Sequence, residues 1–125
     1  GNGGKAAKIV GALWGKESVE NPTFVGIVLH YLDLGVSYEA LLGLGLNALL
    51  GANKTNEAVA NLLYTNLMGE APTQDAKTEL ASYMDSGAYS QAGFARAIAD
   101  LELNATNINL VGLSDTGLQY TEYLM

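Results

Sequence analysis

The sequence predicts an all-α fold, a compact bundle of six to seven short helices. Three observations predict it. Apolar residues recur at helical spacing through most of the chain. Residues that start helices (Asn, Ser and Thr, twice with Pro nearby) alternate with glycines that close them. Period-two alternation never lasts beyond a few residues, so no strand is predicted.

The elements follow in order. Lys5 to Trp14 puts Ile9, Val10 and Leu13 on one stripe and ends at Gly15, a natural C-cap. The second opens at Asn21-Pro22, an N-cap followed by Pro at the first helical position. It runs through Phe24, Ile27, Val28, Tyr31 and Leu32 and stops at Gly35. The third is capped by Ser37, carries Leu41, Leu42, Leu44, Leu46, Leu49 and Leu50, and ends at Gly51. The fourth starts near Thr55 or Asn56, holds Val59, Leu62, Leu63 and Leu67, and ends at Gly69. The fifth is capped by Thr73, contains Leu80, Tyr83 and Met84, and ends at Gly87. The sixth is capped by Ser90 and places Phe94, Ile98 and Leu101 on one stripe at i, i+4 and i+7, with Arg96 and Asp100 as an exposed i,i+4 pair. A seventh segment, from Thr106 or Asn107 to Tyr120, turns Ile108, Val111 and Leu118 inward. Connections this short force neighbouring helices to pack side by side.

The punctuation repeats. Leu13-Trp14-Gly15 matches Leu67-Met68-Gly69, and Glu20-Asn21-Pro22-Thr23 matches Glu70-Ala71-Pro72-Thr73. Tyr31-Leu32-Asp33-Leu34-Gly35 matches Tyr83-Met84-Asp85-Ser86-Gly87, and Ser37 matches Ser90. The offsets are 54, 50, 52 and 53. One domain over 1–125 is therefore expected, built from two related three-helix units, 5–51 and 56–103, with the last helix at 106–120. Asp33 and Asp85 fall in last turns, where the helix dipole disfavours a carboxylate. Each is expected to accept hydrogen bonds from backbone N–H groups of the following turn. Calcium is the alternative, but one carboxylate per turn falls short of the roughly six to eight oxygens calcium takes.

Composition narrows the role. The chain has 125 residues, 49% of them hydrophobic, which suits one folded domain and not an acidic disordered tail. Lys and Arg number 6 against 13 Asp and Glu, a net charge of −7. The basic residues are scattered, so nucleic acid is a poor partner, and the acidic balance repels anionic membranes. The longest apolar stretch, Ala40 to Leu50, is about half of the ~20 residues a membrane span needs. Gly1-Asn2-Gly3-Gly4-Lys5 does not read as a signal peptide, and a Gly-rich start without Met fits a fragment cut at a linker. Cysteine is absent, which excludes disulfides, Cys-ligated zinc, iron–sulfur clusters and thiol nucleophiles. Absent cysteine fits the cytosol and equally bacterial proteins exported in one step without a cleaved leader; low pI, few Lys and Arg and abundant Gly favour the exported reading.

Leu63-Tyr64-x-x-Leu67-x-Gly69-x-x-Pro72, then Tyr83-x-Asp85-Ser86-Gly87 and Ser90, resembles a helical domain of unknown function found in large exported bacterial proteins. Asn107-Ile108-Asn109-Leu110-Val111-Gly112-Leu113 resembles its closing block, and the pattern is also similar to the phycobilisome linker domain. The likeness covers Val59 to Tyr120 well and Lys5 to Gly51 more loosely. It departs at Glu70 and Thr73, where that family has Arg and Asp. Such domains accompany calcium-binding Gly/Asp repeats and type I secretion. The resemblance implies an extracellular or cell-surface setting with a structural or adhesive role, and it brings no catalytic residues.

Candidate chemistry is sparse. His30 is the only histidine; with Asp33 at i+3 and a serine it could make a triad, but no Gly-x-Ser-x-Gly elbow accompanies it. One His and no Cys fall short of a zinc site. Asp75, Glu79, Asp85, Asp100 and Glu102 read as solvated helix faces and not as a glycosidase pair. Gly1-Asn2-Gly3-Gly4 and Gly43-x-Gly45 lack the context of phosphate loops; the interior glycines, among them Gly43, Gly45 and Gly93, are expected to let helices approach closely. No catalytic, cofactor or metal residue is predicted. The better lead is an interface. Tyr38, Tyr89, Tyr120 and Tyr123 fall near helix ends or loops, where rings are expected to stay exposed, and Leu124 and Met125 extend an apolar C-terminal run. The expected function is a non-enzymatic structural, self-assembly or adhesion module whose partner is protein. The alternative is a carbohydrate- or calcium-binding accessory domain of an exported enzyme.

Overall fold

A computed structural model describes residues 2–101 and Asn104. Among them are six α-helices, one 3-10 turn and no strand. The helices are α1 (Asn2–Trp14), α2 (Pro22–Asp33), α3 (Tyr38–Leu50), α4 (Asn56–Met68), α5 (Gln74–Asp85) and α6 (Gln91–Ala99). The fold is thus the all-α bundle that the periodicity predicts. The segment predicted over 106–120 lies outside the described residues.

Local chemistry sets the helix starts. Asn21 Oδ1 accepts from the backbone N–H groups of Thr23 and Phe24, at 3.0 and 3.2 Å. The side chains of Ser37, Thr55, Thr73 and Ser90 each accept from the N–H three residues on. Each satisfies one of the orphan donors of a first helical turn, a contribution of about 1 kcal/mol. The ends are as regular. Gly35 and Gly87 take φ of +98° and +82°, a region that a side chain disfavours. Their N–H groups donate to Leu32 O and Met84 O at 3.0 and 3.1 Å.

α1 is the centre. Ala6, Ala7, Ile9, Val10, Ala12 and Leu13 are all at most 2% exposed, so the helix is buried well beyond the single stripe of Ile9, Val10 and Leu13. A helix apolar on nearly every side belongs inside a core. It packs against α2, α3, α4 and α6, and α3 packs on α6. α5 is the outer helix, burying Ala81 and Met84 alone. α1 meets α4 through Asn66, whose Nδ2 donates to Ala12 O at 2.9 Å. That carbonyl is among the last four of α1, which lack a partner within the helix.

Three features differ from the sequence reading. α1 begins at Asn2, three residues early, because Asn2 Nδ2 donates to Asp33 Oδ1 at 2.8 Å and ties the first turn to the end of α2. Lys16–Glu20 forms a 3-10 turn that plugs Val19 into the core; five residues are too few to show periodicity. Leu101 is 44% exposed and not inward, because α6 stops at Ala99 and its stripe ends there.

Candidate functional site

The most distinctive surface of the molecule is a pair of apolar clefts. The first lies between α1, α2 and α3, and the second between α4, α5 and α6. Their volumes are similar, about 350 and about 340 Å3. Leu13 and Trp14 line the first where Leu67 and Met68 line the second, at an offset of 54. Val28 and Tyr31 correspond to Leu80 and Tyr83 at 52, and Leu41 and Gly45 to Phe94 and Ile98 at 53. Nine of the ten described positions lining the first cleft have a counterpart at these offsets among those lining the second.

The clefts differ in detail. In the first, Trp14 stacks on Phe24, with centroids 5.7 Å apart. Leu44, the one described lining residue without a counterpart in the second cleft, stands 58% exposed. In the second, Tyr83 stacks on Phe94 at 6.3 Å, and Met68, Tyr83 and Leu101 are each more than two-fifths exposed. Ile27 of the first is replaced by Glu79 in the second. Large apolar side chains held open to solvent around a concave surface mark a place where something docks.

The predicted interface residues fare differently. Tyr89 is 43% exposed and sets its ring edge against Phe94 at 6.0 Å, beside the second cleft. Tyr38 is a correction. It is 8% exposed because the start of α3 packs onto α6. Its hydroxyl donates to Asp100 Oδ1 at 3.1 Å, and the Arg96 guanidinium lies 5.5 Å from its ring centroid. Lys8 Nζ and Arg96 Nε close the group at 3.6 and 3.9 Å from the Asp100 carboxylate. Burial, and then the negative charge of Asp100, push the Tyr38 phenol well above the ordinary tyrosine range. Tyr38 is therefore a fastening between α3 and α6. Tyr120, Tyr123, Leu124 and Met125 lie outside the described residues.

The charged and titratable candidates do not converge. Asp33 Oδ1 accepts from Asn2 Nδ2, while the His30 ring packs edge-on against Tyr31, with centroids 5.5 Å apart. Asp85 accepts from Asn56 Nδ2 at 2.7 Å. The partner of each Asp is thus a side chain of the preceding helix, where the backbone of the following turn was expected. Glu102 lies outside the described residues. Among the described residues no group of three His, Asp or Glu is placed to hold a metal ion, and no helix is long and apolar enough to cross a membrane.

The paired clefts were within reach of the sequence. Laying one unit over the other at the repeat offsets puts the apolar positions in register, but nothing local says which of them leave a gap between helices. Compared with protein-family models, curated proteins and solved structures, the chain shows no significant match.

Proposed function

We propose that this chain is a non-enzymatic structural module that self-associates, as part of a secreted or cell-surface bacterial protein. The observation that carries the reading is the cleft between α1, α2 and α3, with Leu44 standing 58% exposed among its lining residues. A protruding leucine beside an apolar cleft is self-complementary: two copies can each seat Leu44 in the other's cleft in one closed, two-fold contact. The setting rests on composition, with no Cys and a net charge of −7, and on the Leu63 to Pro72 motif.

Sedimentation of the chain over a range of concentrations tests the reading. Reversible dimers are expected without added ligand, and Leu44→Glu is expected to abolish them while leaving the helical circular dichroism unchanged. A monomer at every concentration overturns the proposal. A monomer whose melting temperature rises with calcium or a glycan favours the accessory-domain reading in its place.

A further inference from the structure

The two units are packed together as two copies of one subunit would be. Asn66 Nδ2 donates to Ala12 O, and these residues are 54 apart, the repeat offset of α1 and α4. A residue that touches its own counterpart lies on the axis relating the two units. α3 and α6, also counterparts, run antiparallel across that axis. Tyr38 at the start of α3 meets Asp100 just past the end of α6, and Gly43 meets Ala92 at the start of α6. A two-fold axis pairs like with like in this way. The other contacts between units, α1 with α6 and α3 with α4, exchange under the same axis. α2 packs on α1 and α3, and α5 on α4 and α6, each within its own unit. We propose that the second unit, residues 56–101, also docks on the first unit of another copy, so that two chains exchange units in a closed dimer.

Three features carry the inference, none of which involves Leu44. The first is the shared face. α1 is buried by α4 and α6 as well as by its own unit, so a separated unit would expose Ala6, Ala7 and Val10 to water. Only a second unit covers that face, and another copy's second unit covers it as well as the chain's own. The second is the hinge. Gly51, Ala52 and Asn53 join the units; all three are exposed, and Gly51 takes φ of +86° to make the turn. The chain is fixed immediately beyond them, where Lys54 O accepts from Gln91 Nε2 of the second unit at 3.1 Å. Opening the hinge breaks one printed side-chain bond across it, from Lys54 Nζ to Asn47 Oδ1, which lies exposed on the surface. Every contact between units is then made again between chains. The third is mass action. A short linker holds the closed form together at an effective concentration in the millimolar range, so exchange competes as the protein approaches that range and is absent far below it.

Refolding from urea at micromolar and at near-millimolar concentration, followed by separation by size, tests this. The chain has no Cys, so Gly43→Cys with Ala92→Cys makes one possible pair, one residue on each unit. A Cβ at position 43 stands 3.4 Å from Ala92 Cβ, close to the about 3.5–4.5 Å of a disulfide. Dimers isolated reduced and then oxidised should run as covalent dimers in denaturant, while the monomer fraction should run as internally linked monomer. The unsubstituted chain gives a second reading should that pair disturb folding. A carbodiimide joins Lys8 Nζ to the Asp100 carboxylate, 3.6 Å apart across the units. In dimers refolded from mixed ordinary and heavy-isotope chains, the linked Lys8 and Asp100 peptides should combine both labels. Dimers whose links all stay within one chain overturn the inference, as does a chain that refolds at near-millimolar concentration to monomer alone. Leu44→Glu separates it from the proposed function. Dimers linked between chains that persist in Leu44→Glu support exchange. Dimers that Leu44→Glu abolishes, with every link inside one chain, sink exchange and leave the proposed function standing.

Discussion

Asn56 Nδ2 donates to Asp85 Oδ1 at 2.7 Å, and Asn2 Nδ2 donates to Asp33 Oδ1 at 2.8 Å. In both cases an Asn at the start of one helix holds an Asp at the end of the next. The carboxylate sits unfavourably at the end of its own helix, but beside the N-terminus of the neighbouring antiparallel one, where the dipole favours it. Asn56 Oδ1 in turn accepts from Gln91 Nε2 at 2.9 Å, so the second unit links α6, α4 and α5 in one chain of bonds. Asp85→Ala is expected to lower stability by about 1 kcal/mol, the scale of an exposed charge-assisted hydrogen bond. Asp85→Asn keeps an acceptor and should recover part of that loss. Urea midpoints of the three proteins check the order; an unchanged midpoint for Asp85→Ala would show the bond to be worthless in solution.

Tyr38 gives the chain a dependence on alkaline pH. Its phenol is held protonated by burial and by the Asp100 carboxylate. Below about pH 10 both folded and unfolded chains carry the proton, so the contact is fully present. As pH rises past that value the unfolded chain loses the proton and the folded chain keeps it. Stability therefore falls, by up to about 1.4 kcal/mol per pH unit from this group. Tyr38→Phe removes the hydroxyl and should cost about 1 kcal/mol near neutrality, since the exposed Asp100 can turn to water. The difference between wild type and variant should shrink steadily above pH 10 and then reverse. Parallel urea titrations at several pH values measure it, and a difference that stays constant would mean that Tyr38 titrates alike in both states.

What was legible in the sequence follows the reach of the forces involved. Asn21, Ser37, Thr73 and Ser90 act on N–H groups two or three residues away, so each helix start is written beside the helix it starts. Gly35 and Gly87 close helices through their own backbone conformation, again a local matter. Tyr38 and Asp100 are 62 residues apart, and Asn56 and Asp85 29 apart; nothing near either pair announces the partner. Proximity to a helix end made Tyr38 look exposed, because a rule about chain position cannot know that α6 lies over it. The clefts fall between the two cases. The repeat offsets bring Tyr31 and Tyr83, or Leu13 and Leu67, into correspondence, while the gap between helices belongs to the packing.

Gly43 and Gly45 lie two residues apart in α3, yet they should respond oppositely to the same substitution. A Cβ on Gly43 would meet Ala92 Cβ at 3.4 Å, an ordinary contact. Gly43→Ala should therefore stabilise the protein by up to about 1 kcal/mol, the gain in helix propensity. A Cβ on Gly45 would run into Leu13 Cδ1. Leu13 is 1% exposed and packed within the core, so it has little room to turn away. Overpacking of this kind costs about 1–3 kcal/mol, more than the propensity gain returns. Gly45→Ala should lower the urea midpoint and Gly43→Ala should raise it. Gly45 also lines the α1–α3 cleft, where its counterpart in the other cleft is Ile98. If Gly45→Ala stabilised the chain as well, α1 and α3 would not be in close contact at this point, and the packing that shapes the first cleft would be wrong.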